Sequence, residues 1–164
     1  MTPWSVAEAP WAAQLKTLDG PPSLHPAWVP VLGRVELFKS LSNRHLKKVG
    51  NLAELKRFKK GATIVKEGAR GDAFYIILDG QAELTTSGGL KHMLSAGDSF
   101  GELALLDGHP RAATITATDQ VAAAVIPRVG FQKLLKDEPA ITLSLAHGLV
   151  AIIRELQGVR SATA

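Results

Sequence analysis

Between Phe100 and Thr114 the chain sets a carboxylate, Glu102, and a guanidinium, Arg111, near the two ends of an otherwise apolar run. Asp107 lies between them, and Gly101, Gly108 and Pro110 interrupt the run. A plain strand would alternate, and a plain core helix would not be broken by Gly-His-Pro. The stretch reads as a short helical turn, a tight loop and a buried strand. Folded that way, it brings backbone amides, a carboxylate and a guanidinium together on one small anionic ligand.

The elements that must hold this stretch change character along the chain. Residues 1–26 are punctuated by Pro3, Pro10, Pro21, Pro22 and Pro26 and carry Trp4 and Trp11, with Trp28 just beyond. They read as a Trp/Pro-rich tail, with a short helix over 9–18 and a stop at Asp19-Gly20-Pro21-Pro22. Its tryptophans suit either a partner groove or the chain's own core, since disordered segments are poor in aromatics. Residues 27–157 form one domain, and 158–164 a short C-terminal tail. Trp28, Val31, Leu32, Val35 and Leu37-Phe38 give a first amphipathic segment. Ser42 caps a helix expected over 43–54.

From Leu55 the apolar period becomes two and glycines become frequent. Strands are expected at 55–58, 62–65, 73–78, 81–86, 90–94, 112–117 and 120–126. Glu67-Gly68-Ala69-Arg70-Gly71-Asp72 forms a glycine-rich loop, and Asp79-Gly80 is a hairpin-turn signal. Pro127 ends the last strand. Helices follow over 128–136 and from 138 to about 157, the second with an apolar stripe too wide for a single buried face. The fold class is therefore mainly β with flanking α: a short-stranded antiparallel barrel or jelly roll with N-terminal helices and two C-terminal helices.

Composition narrows the classes. At 46% hydrophobic and 21% charged residues, the chain can build a core. No cysteine is present, which excludes disulfides, thiolate zinc sites and a cysteine nucleophile, and fits a cytoplasmic setting. No signal peptide is expected, nor any apolar run approaching a membrane span. The net charge is +4, with basic runs at Arg44-His45-Leu46-Lys47-Lys48 and Lys56-Arg57-Phe58-Lys59-Lys60. Short runs of this kind are usually solvated faces, and no DNA-reading motif accompanies them. The histidines lack metal-ligand spacing, so no metal and no catalytic residue are expected.

The order of helices, barrel and glycine-rich loops, with Phe-Gly-Glu-Leu-Ala-Leu-Leu at 100–106 and Pro-Arg-Ala-Ala-Thr at 110–114, resembles the cyclic nucleotide-binding domain family. That family includes the kinase A regulatory subunits, cyclic-nucleotide-gated channels and the bacterial catabolite activator. The resemblance spans roughly residues 31–157. It implies that Gly101 opens the short helix, so that the amides of Glu102, Leu103 and Ala104 face the phosphate. Arg111 would grip the equatorial phosphate oxygens, and the Ala112 amide would join it, with Ala113 alongside. Glu102 would accept the ribose 2′-hydroxyl. The competing arrangement is a Glu102–Arg111 ion pair with no ligand, a poor bargain when buried. Alanine at 112 cannot offer the hydroxyl that selects guanine, so cAMP is expected over cGMP. Leu149, Ile152, Ile153 and Arg154 are the candidate lid over the adenine.

The function so implied is a non-enzymatic cAMP receptor that changes conformation and relays the signal to a separate effector protein. The relay would run through residues 1–26 or the last helix, which is also the candidate surface for pairing two copies. The alternatives are a cAMP-responsive regulatory subunit, or a DNA-binding regulator without its own helix-turn-helix. Brevity and a single binding module suggest a stand-alone bacterial protein.

Overall fold

Two seven-residue strands, Ala73–Asp79 and Val121–Pro127, are almost completely buried along their length. That is the burial expected of strands covered on both faces, and it explains why they read as unbroken apolar runs. The computed structural model describes residues 32–163, and side chains as far as Gly158. The expected tail at 1–26 and its helix lie outside the described residues.

A single 3₁₀ turn, Glu36–Phe38, leads into α1 (Asn43–Gly50). The strands are β1 (Glu54–Phe58), β2 (Thr63–Val65), β3 (Ala73–Asp79), β4 (Gln81–Thr85), β5 (Lys91–Ser95), β6 (Ser99–Phe100), β7 (Thr114–Ala117) and β8 (Val121–Pro127). One helical turn, α2 (Ala104–Asp107), interrupts them after β6, and α3 (Arg128–Asp137) and α4 (Pro139–Thr163) follow. The strands form two four-stranded antiparallel sheets, ordered β1-β8-β3-β6 and β2-β7-β4-β5. The expected jelly roll with flanking helices is the observed architecture.

Side-chain alternation along β3 and β8 splits the interior into two layers. Tyr75 and Ile77 of β3 and Val121, Ala123 and Val125 of β8 pack with Ile64, Ala82, Leu94 and Ile115 between the sheets. Phe74, Ile76 and Leu78 point the other way and meet Leu37, Phe38, Leu105, Phe131, Ile141 and Leu145 from the helical elements. Phe38 stands at the centre of that layer, edge-on to Phe74 and tilted against Phe131, each at 5.9 Å between ring centroids.

Several local expectations change. Ser42 does cap α1, its hydroxyl accepting from the His45 amide at 3.2 Å, but the helix stops at Gly50 rather than 54. Asp79-Gly80 is not a hairpin: β3 pairs with β8 and β6, while β4 pairs with β5 and β7. Gly80, at φ +91°, instead turns the chain from one sheet to the other, hard against the Gln120 carbonyl. A β-carbon there would collide with backbone. The last helix continues through Thr163, so 158–163 are helical backbone rather than a tail. Its stretch Pro139–Gly158 is also long and apolar enough to cross a membrane by length and composition, contrary to the sequence expectation. Only 17% of that window is buried.

Candidate functional site

The 100–114 stretch folds as the sequence suggested: β6, a turn, α2, a loop, then β7. It walls a cavity of about 420 Å³, within the usual range for small-molecule sites. Gly101, Glu102, Leu103, Ala104, Arg111, Ala112 and Ala113 all line it. Val65, Leu84 and Ile115 add apolar surface from β2, β4 and β7. These three were missed because only the fold of one sheet brings their strands together. Asp107, His109 and Pro110 complete the rim.

Arg111 is the buried charge of the site, with 9% of its surface exposed. Its Nη2 donates to the Ala73 carbonyl at 2.5 Å, and its guanidinium lies 5.6 Å from the Tyr75 ring centre. Tyr75 in turn stacks on Phe100, 4.9 Å away and 9° from parallel. The backbone of Arg111 is strapped to the glycine-rich loop: its amide donates to the Ala69 carbonyl, and its carbonyl accepts from the Gly68 amide, each at 2.8 Å. The loop 67–72 therefore braces the site without lining it. Burial pulls the guanidinium below its ordinary pKa, while Tyr75 and Asp72 push it back. Among the described residues Arg111 makes no ion pair. The ligand-free Glu102–Arg111 bridge is thus not the observed arrangement.

Gly101 is where the backbone must yield to this charge. At φ +85° it occupies a conformation that glycine tolerates, and a β-carbon would strike the Arg111 guanidinium and the Ala73 carbonyl. Gly101 does not itself open the helix. The helical turn begins at Ala104 after Leu103, and four residues are too few to build a substantial dipole. Its amides are the resource it offers, not a macrodipole.

Glu102 faces different neighbours. Burial raises its carboxyl above the ordinary glutamate pKa. A hydrogen bond from the Leu37 amide opposes that rise, Glu36 reinforces it, and Lys39 opposes it more weakly. The carboxylate therefore sits against the 3₁₀ turn at the start of the described chain.

The structure does not bring the lid candidates to the cavity. Leu149 packs on the helical-layer core, Ile152 is half-buried, and Ile153 and Arg154 are exposed. None of Leu149, Ile152, Ile153 and Arg154 lines it. The reason is that α4 is one uninterrupted helix held by its first half. Ile141 and Leu145 are buried, Gly148 abuts the Leu37 carbonyl, and beyond Val150 the helix is mostly exposed.

Fold and cavity together define a β-sandwich binding domain with helices at one face. The sequence matches the cyclic nucleotide-binding domain over residues 55–138, just over half of the chain. The chain belongs to that family. It is 40% identical over 105 residues to a cAMP-dependent protein kinase regulatory subunit of Eremothecium gossypii, a match covering 63% of this chain and 23% of the relative. It is similar in structure to the N-terminal domain of a transcriptional regulator from Streptomyces coelicolor, with a TM-score of 0.67 and 27% identity over 77% of this chain and 94% of that one. A cAMP-bound structure of PfPKA-R matches with a TM-score of 0.55 and 31% identity, over 80% of this chain and 46% of that one. The chain spans about a quarter of the length of the curated relatives it matches. These likenesses do not carry the expectation of a stand-alone bacterial protein, because curated relatives are fungal while bacterial proteins appear among the similar structures.

Proposed function

We propose that this domain is a cAMP receptor whose occupancy is passed to a separate effector protein. One observation carries the reading: a buried guanidinium, without an ion-pair partner among the described residues, lines a largely apolar cavity. Such a cation is costly unless an anion joins it. A cyclic phosphodiester supplies that anion together with a flat apolar base for Val65, Leu84 and Ile115. Arg111 holds the equatorial oxygens with the Ala112 amide beside it, and Glu102 accepts the ribose 2′-hydroxyl. Gly101, Leu103, Ala104 and Ala113 shape the wall. Alanine at 112 offers no side-chain acceptor to a guanine amino group, which favours adenine. The domain binds its ligand without turning it over, and the signal leaves through the last helix or residues 1–26. In this reading the binding domain spans 27–157, with its last helix carrying on beyond that boundary, and 1–26 form the tail.

Calorimetric titration with cAMP and cGMP tests the reading. Parent protein should bind cAMP more tightly, and Arg111→Ala should weaken it by about 2–5 kcal/mol, the cost of truncating one partner of a buried charge pair. Equal binding by parent and variant would sink it. A second reading, the effector-binding part of a DNA-binding regulator, draws support from the likeness to the Streptomyces structure. A gel-shift assay at physiological salt, with cAMP present, separates the two.

A further inference from the structure

All three tryptophans of the chain, Trp4, Trp11 and Trp28, precede Leu32, where the described residues begin. In residues 1–31 the charged side chains are Glu8, Lys16 and Asp19 alone. A segment so rich in indole and so poor in charge has apolar surface to bury and little to keep it in water. The helix expected over 9–18 would set Trp11, Leu15 and Leu18 on one side, at four- and three-residue spacing.

The last helix offers a surface of the complementary kind. It buries Ile141 and Leu145 in the helical layer, with Gly148 against the Leu37 carbonyl. A second apolar stripe, Leu143, Ala146, Val150 and Ile153, follows at three- and four-residue spacing on another side. Leu143 is 61% exposed, Val150 47% and Ile153 53%. Leu156 further along is open as well, so the apolar surface extends about 20 Å along the axis. The charged residues within 139–158 are Arg154 and Glu155 alone. A membrane surface selects helices with many Lys and Arg on the polar face, which this one lacks.

Connectivity brings the two within reach. Leu32 is buried in the same core as Ile141 and Leu145. Five residues on, the Leu37 carbonyl meets Gly148, level with the centre of the stripe. Five residues of chain span at most about 18 Å, so the chain enters the described domain close to α4. A segment tethered there meets the stripe at an effective concentration on the order of millimolar, against which a second copy in dilute solution competes poorly.

We propose that residues 4–18 dock on the outer side of α4 of their own chain, with Trp4 and Trp11 seated over Leu143, Val150 and Ile153. Indole rings suit such anchoring because each buries a large area at small entropic cost. The docking stands whatever the cavity binds. It joins the tail and the last helix into one surface, because a partner reaching for the stripe must first displace the tail.

Because no tryptophan lies in 32–164, indole emission of the full chain reports residues 1–31 alone. The parent is compared with the double variant Val150→Glu/Ile153→Glu, whose changes fall at exposed positions outside the cavity wall. Parent emission should be blue-shifted and shielded from acrylamide, equally at all protein concentrations. The variant should shift to the red and quench more steeply, while far-UV circular dichroism shows the domain still folded. Cross-linking gives a second reading without charge placed on the stripe. The chain has no cysteine, so Ala13→Cys with His147→Cys supplies one pair for a short bis-maleimide. In dilute solution the product should have the mass of one chain. Identical emission and quenching in parent and variant would overturn the docking, as would absence of the intrachain product. Shielding that grows with concentration, with a cross-linked product of two chains, would overturn it too and name a second copy as the occupant.

Discussion

The two ends of the cavity are built differently. Arg111 is fixed by the sandwich behind it: the Ala73 carbonyl of β3, the stacked Tyr75–Phe100 pair and the two-bond strap to residues 68 and 69. Glu102 leans instead on the Leu37 amide and on the charges of Glu36 and Lys39, all in or beside the 3₁₀ turn. That turn touches α4, where Gly148 has no side chain and the Leu37 carbonyl comes close. In the proposed receptor a charge braced by a sheet would serve affinity, because its geometry would not relax when the ligand leaves. A charge resting on one turn and one helix would there serve communication, because anything that recruits it must release something else.

The comparison breaks most directly at Arg111. Arg111→Ala should remove most cAMP affinity, about 2–5 kcal/mol, while leaving the ligand-free arrangement of α4 unchanged in amide exchange. A variant that binds weakly but also loosens α4 would show that the two ends are not separate.

Glu102→Gln should cost less in affinity, about 1.5–3 kcal/mol as for a hydrogen bond to a charged group, and only for ligands with a 2′-hydroxyl. A deoxy analogue should bind parent and variant alike. The same variant has a pH signature. Burial raises the Glu102 carboxyl above its ordinary value of 4.5, so the protonated form favours the fold. Its contribution is complete below that value and disappears as pH rises through the raised one. Thermal melts of ligand-free protein should therefore lose part of their decline over that window in Glu102→Gln; an identical pH profile would contradict the assignment.

Gly148→Leu sharpens the other end. Added volume against the Leu37 carbonyl at 3.2 Å and Ser40 at 3.5 Å should destabilise the domain by about 1–3 kcal/mol. It should alter exchange around 36–40 while leaving the Arg111 surroundings intact. Ala112→Thr is the smallest change expected. It should improve cGMP binding by about 1 kcal/mol, the worth of one neutral hydrogen bond, and leave cAMP nearly unchanged in a competition titration.

Local pattern carried much of this. Ser42, with its capping hydroxyl before a helix, and the apolar runs at 73–78 and 121–126 announce their elements because caps and burial on both faces write themselves into neighbouring residues. The motif residues from Gly101 to Ala113 are close in sequence, so the cavity wall they form was legible before folding. Asp79-Gly80 shows where such reading stops. Its dipeptide encodes a turn, but whether the turn joins paired strands depends on β8 and β7, some 40 residues away. Gln132 is silent in the sequence for the same reason: a glutamine on a helix carries no signal until the fold lays its amide against the Leu105 and Leu106 carbonyls.

The sequence by itself determined the fold class and the stretch of the cavity wall between Gly101 and Ala113, and it pointed to a small anionic ligand, because all are expressed in short-range pattern and side-chain chemistry. Only the tertiary structure decided which neighbour each charge meets, that α4 stands clear of the cavity, and that Gln132 of α3 meets the Leu105 and Leu106 carbonyls of α2. Those are contacts between segments distant along the chain, and backbone periodicity holds no record of them.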